Sequence, residues 1–231
     1  MERMFGMSEE KKQEIDEVEQ RKPSLFGMIW SPTEQFERIK EQPKIWAPLG
    51  IISVLFIVGT LITILGTDLG IEGFSEDEMA IFAGFAVVIS IIVGVISPIL
   101  GTLIISFIYW LIAKLARSEV SFKQLFSMNT YLMILSVLSL IINGTGIALL
   151  GGNPETIFTS LGSLIQAEGA IGALFDSIEV FGIWGVILTA IGLHKVADFS
   201  KGLAWTISIV FFVIGIIFAM IGAALSGMVG V

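Results

Sequence analysis

Between Met79 and Ala113 the chain runs for 35 residues without one charged side chain. A helix crosses the hydrocarbon core of a bilayer in about 20 apolar residues. As one helix this run would reach about 52 Å at 1.5 Å per residue, so it must tilt, kink or extend past the interface. Pro98 removes a backbone donor near the middle, which predicts a kink there. The flanks differ in sign. Asp68, Glu72, Glu76, Asp77 and Glu78 precede the run; Lys114, Arg117 and Lys123 follow it. Basic residues are retained on the cytoplasmic side, so this helix is expected to run from outside to inside.

The composition agrees with a membrane environment. The chain is 55% hydrophobic and 15% charged, too little charge to cover a soluble domain of this size. The expected fold is all-α and polytopic, with five transmembrane helices at about 46–67, 79–113, 125–150, 178–193 and 203–225. Residues 1–24 read as a charged cytoplasmic tail, 25–225 as the membrane domain and 226–231 as a short outer tail. With the N-terminus inside and the C-terminus outside, all 13 basic residues fall in inner segments. The outer segments then carry only acidic charges: Asp68, Glu72, Glu76, Asp77, Glu78, Glu155, Glu168, Asp176 and Glu179. Losing or adding one span would break that sorting. The first 45 residues are polar and charged, so the first span is expected to act as an uncleaved anchor.

Local signals fill in this frame. Ser31-Pro32-Thr33-Glu34 fits a helix start, with Ser31 as N-cap, Pro32 in the first turn and Glu34 closing a capping box. Phe36 and Ile39 share a face opposite Glu34, Glu37 and Glu41. This predicts a short amphipathic helix on the inner membrane surface, either a simple elbow into the first span or a contact for a cytoplasmic partner. Ser75 and Glu78 form a second capping-box pattern. In the second span Ala83, Ser90, Gly94, Ser97 and Gly101 make a stripe of small residues; in the fifth, Gly215, Ala219 and Ala223 recur every fourth residue. Both stripes are expected helix-packing or partner interfaces. Asn153-Pro154-Glu155-Thr156 predicts an outer helix, surface-lying or re-entrant, ending near Gly169.

The chemistry inventory is short. There is no Cys and one His, His194, placed where a cation complements the end of the fourth span. No metal-ligand set, no nucleophile with a base and acid, and no phosphate-cradling glycine loop is present. We therefore expect no catalytic residues, no cofactor and no bound metal; the five carboxylates of the first outer loop lack ordered ligand spacing. No basic face large enough for nucleic acid exists. The span interiors read as free of acids and bases, which weighs against an ion-coupled pump.

Three stretches carry a likeness to a known family: Ser31 to Ile39; Leu111 to Leu115 with Val120 to Leu125; and Ile183 to Leu193 with Ser200-Lys201-Gly202. The chain resembles the bacterial branch of the Yip-domain (Ypt-interacting-protein) membrane family over roughly Leu25 to Leu225. That resemblance implies five spans with a cytoplasmic N-terminus. Eukaryotic members are linked to vesicle traffic and small GTPases, but their Asp-Leu-Tyr-Gly-Pro-type signature is absent here, so GTPase binding is not carried over. Likeness to a bacterial member implies a non-enzymatic accessory subunit beside an ABC-type exporter in toxic-peptide resistance. The partners expected are the lipid bilayer and ABC exporter subunits, with a homo-oligomer as the other assembly. The alternative from the residues is a channel or a carrier for a lipid or apolar peptide, using the Pro98 kink and the neutral polar groups of the third span.

Overall fold

The computed structural model of the chain describes residues 22–66, 76–151, 156–165 and 167–229. Among these the regular structure is helical: α1 Gly27–Trp30, α2 Pro32–Glu41, α3 Trp46–Leu65, α4 Glu76–Leu115, α5 Phe122–Leu150, a 3-10 turn Leu161–Ser163, α6 Gly169–Ser177, α7 Val180–Val196 and α8 Lys201–Val229. Four stretches are long and apolar enough to cross a membrane: Trp46–Ile64, Val87–Leu115, Phe122–Leu150 and Lys201–Met228. The fifth, α7, is a shorter apolar helix of 17 residues, about 25 Å long. The chain is an all-α, five-span membrane protein, as the charge sorting and apolar runs predict.

The hub is α5, packed against α3, α4 and α7 and touched by α1 and α2. It starts where the sequence can satisfy free amides. Ser121 accepts from Gln124 N while Gln124 Oε1 accepts from Ser121 N, a reciprocal capping box. Small residues then let α3 close on α5. A Cβ on Gly66 would stand 2.5 Å from Ala148 Cα, and one on Gly144 would stand 2.4 Å from Thr63 Oγ1. Bulk is excluded at both places, so the backbones approach closely. The remaining span, α8, packs on α6 and α7, with Ser208 Oγ donating to Val186 O at 2.6 Å.

Several expectations change. The Ser31 hydroxyl makes no cap bond to the first turn of α2. Ser31 Oγ turns back to Gly27 O, and Glu34 pairs with Arg38 one turn on, so that capping box does not form. Pro32 does occupy the first turn. Helix α4 is uninterrupted through Pro98. The outer helix starts at Gly169 rather than ending there. Thr159 and Ser160 are held extended by Val180 N→Thr159 O and Leu161 N→Ile178 O, which excludes helix in that stretch. Gly169, at φ +60, adopts a backbone conformation that favours glycine. The last helix continues to Val229, so residues 226–229 extend the fifth span. The tail before Lys22, the Ser75 capping box, the Ala83 side chain, most of the acidic loop and the Asn153-Pro154 start lie outside the described residues.

Candidate functional site

Two places in this bundle gather polar side chains. At the end bearing the basic residues, α2 and the segment before it form a collar. The amphipathic face of α2 is closed by protein: Phe36 and Ile39 are fully buried. A Cβ on Gly192 of α7 would come 2.8 Å from Met128 Sδ and 3.0 Å from the Phe36 ring. The α2 face therefore rests on α5 and α7, a correction to its expected seat on the membrane surface. Backbone acceptors stitch the collar down. Tyr131 Oη donates to Pro23 O at 3.1 Å, Gln124 Nε2 to Lys40 O at 2.7 Å, and Ser127 Oγ to Lys44 O at 2.7 Å. Lys40 pairs with Asp198 at 2.6 Å and Lys195 with Glu37 at 2.7 Å. Both pairs are largely exposed and worth about 0–1 kcal/mol each. Packing, rather than charge, holds the collar. His194 Nδ1 lies 2.7 Å from Phe199 O. A carbonyl only accepts, so Nδ1 carries the hydrogen and the ring closes the α7–α8 turn.

The second place is a cavity of about 640 Å³ enclosed by α3, α4, α5 and α7 and open to the surroundings. Pro98, Gly101, Thr102 and Ile105 form its α4 wall; Asn129, Ser136, Ser139 and Asn143 line it from α5. Thr189 lines it from α7, and Thr156 and Ile157 from the outer segment. Next to it, Asn129 Nδ2 donates to Ser106 Oγ at 2.8 Å, and Ser106 Oγ donates to Thr102 O at 2.6 Å. Such bonds join helices where water is scarce.

Among the described residues, one carboxylate lines this cavity. Glu179, the N-cap residue of α7, turns its Oε1 into a cluster of neutral donors. Thr159 Oγ1 donates to it at 2.8 Å and Asn143 Nδ2 at 3.2 Å, and Ser139 Oγ donates as well. Asn143 Oδ1 in turn accepts Thr159 N at 3.1 Å. Ser139 lies 11 residues before Leu150, the end of α5, about 16 Å along the helix. The sequence places Glu179 in a solvated outer segment. The fold lowers its carboxylate some three turns beneath the end of α5, beside spans that read as free of acids.

The sequence-expected interface residues fall in different surroundings. On α4, Ser90 is half-buried, Ser97 is exposed, and Gly94 faces Thr60, whose Oγ1 would stand 3.2 Å from a Cβ there. Gly101 lines the cavity with open space where its Cβ would stand. On α8, Gly215 and Ala219 are exposed and Ala223 is half-buried; a Cβ on Gly215 or Gly222 would meet nothing within 4 Å. Among the described residues, none thus covers Gly215 or Ala219 of the α8 stripe. The tight contacts at Gly66, Gly144 and Gly192 were missed. The small residues Gly59, Thr63 and Gly66, spaced by four and three, carried a signal for the first pair.

A Yip1 domain model matches residues 26–223, from just before α1 to within α8. The chain belongs to the Yip1 domain family. Membrane protein YknW of Bacillus subtilis (strain 168) is 34% identical over 216 residues, 90% of this chain and 94% of the relative. The matched stretch takes in α2 and the five spans described above. No solved structure matches the chain. Among the described residues, no group of three or more His, Cys, Asp or Glu could hold a metal ion.

Proposed function

We propose that this chain is a non-enzymatic accessory subunit that assists assembly or activity of an ABC-type exporter in resistance to a toxic peptide. The observation that carries this reading is the small-residue face of α8. Gly215 and Gly222 have open space at the Cβ position, and Ala219 is exposed. Small residues on one face let a second helix approach closely, and α8 offers that face to a helix from outside the chain. The N-terminus and the collar then lie in the cytoplasm with the C-terminus outside, because this orientation keeps all 13 basic residues inside. The likeness to the bacterial branch of the family supports the same role. The chain has no native Cys, so Ala219→Cys and Gly222→Cys give clean cross-linking positions. The reading expects both to cross-link to exporter subunits in native membranes; cross-links only between copies of this chain would contradict it.

A second reading, a channel or a carrier for a lipid or apolar peptide, is favoured by the open cavity against Pro98. It expects substrate flux in vesicles containing this protein alone. Repeated absence of flux across lipid and peptide substrates would remove it.

A further inference from the structure

The carboxylate in the cavity is not fully used by the fold. Glu179 Oε1 collects three neutral donors, whereas no hydrogen bond reaches Oε2 and no cation pairs with Glu179 among the described residues. An ionisable group at membrane depth is costly unless paired, and it marks a ligand or ion site by default. Three oriented donors hold the side chain in place before any ligand arrives. Away from Glu179, the apolar side chains Phe56, Ile105, Leu132 and Leu140 line the cavity beside the neutral polar ones of Thr102, Asn129, Ser136 and Thr189. About 640 Å³ lies in the range that accepts a drug-sized ligand or a single alkyl chain, not a whole diacyl lipid. Among the described lining residues, Glu179 is thus the one charged group, set among apolar and neutral polar side chains.

We infer that this cavity binds a single-chain amphiphile bearing a primary ammonium group, the ammonium on Glu179 Oε2 and the chain along the α4 wall towards Ile105. The N–H donors of an ammonium can bond Oε2 and the hydroxyl oxygen of Ser139, which also lines the cavity. A neutral head would leave the carboxylate unpaired, and an anionic head would be repelled. The inference gives the cavity of the carrier reading a ligand class and rests on that cavity, yet it requires no transport. It tests binding at equilibrium, whereas flux tests the carrier reading.

The experiment uses the full chain in nanodiscs of phosphatidylcholine, which has no primary amine. Saturable binding of radiolabelled dodecylammonium is measured against dodecanol. Glu179→Gln keeps an oxygen for the three donors and removes the charge; it is expected to weaken dodecylammonium binding about tenfold or more and to leave dodecanol binding unchanged. Gly101→Leu, at a cavity-lining position where a Cβ would meet nothing within 4 Å, is expected to weaken both. Lysophosphatidylethanolamine is added as competitor. Competition identifies an amine lipid headgroup as the source of the ammonium; its failure, with dodecylammonium still bound, identifies a free long-chain amine. No saturable component, equal binding of dodecanol, or unchanged dodecylammonium affinity in both variants would overturn the inference.

Discussion

The Phe36 ring occupies the space that a side chain on Gly192 would need: a Cβ there would stand 3.0 Å from the ring and 2.8 Å from Met128 Sδ. This contact helps join the pre-span helix to the fourth span and makes its amphipathic face part of the core. Gly192→Leu is expected to force Phe36 out and lift the collar. Phe36→Ala should lower stability by about 3–5 kcal/mol, the usual loss for a buried aromatic ring. Thermal unfolding in detergent would measure both, and proteolysis near Lys40 would report collar release. A Phe36→Ala protein as stable as the parent would mean the collar is not docked.

The α3–α5 seam gives a second expectation. Gly66→Val and Gly144→Leu should each destabilise by about 1–3 kcal/mol or more, because the obstacles are Ala148 backbone and the Thr63 side chain on a neighbouring helix. Gly222→Leu, where a Cβ meets nothing within 4 Å, should leave the unfolding temperature of the isolated protein unchanged. It should nevertheless disturb association in membranes, as should Ala219→Leu. Equal unfolding losses at all three glycines would show that the α8 face is already filled.

Much of this bundle is legible in the sequence because charge and hydropathy act on whole segments. The start of α3 at Trp46 and the end of α5 at Leu150 fall where expected. What is not legible depends on pairs far apart in sequence. Glu179 looks like one more outer carboxylate until Ser139 and Asn143, on another span, are brought to it. Ser31 looks like a cap because Pro32 and Glu34 follow at the right spacing, yet Gly27 O competes for its hydroxyl. The Ser121 capping box carried its signal in Gln124, three residues on. Small residues at regular spacing marked two stripes, but spacing does not say whether a partner helix comes from the same chain. Between α3 and α5 it does; on α8 no described helix covers Gly215 or Ala219.

The Asn143 amide holds Thr159 N and Glu179 together. Asn143→Leu removes both bonds and should destabilise by about 1–3 kcal/mol per group left without a partner. Asn143→Gln should recover part of that loss. Hydrogen exchange at the Thr159 amide is the direct readout, with faster exchange expected in Asn143→Leu. Unaltered protection would mean that the outer segment is held elsewhere.

His194 is expected to be replaceable. A Gln amide can donate to Phe199 O as Nδ1–H does, so His194→Gln should change stability by less than about 1 kcal/mol and, under the proposed accessory role, preserve toxic-peptide resistance. Loss of resistance in a stably folded His194→Gln protein would assign the imidazole a role as a proton switch instead.

Partnership is the central claim, and co-purification from native membranes in mild detergent tests it most directly. Tagged protein is isolated and its companions identified and quantified by mass spectrometry. The account predicts ABC exporter subunits in fixed ratio, lost when Ala219 or Gly222 is replaced by Leu. Recovery of the protein alone, or only with further copies of itself, would contradict the accessory role.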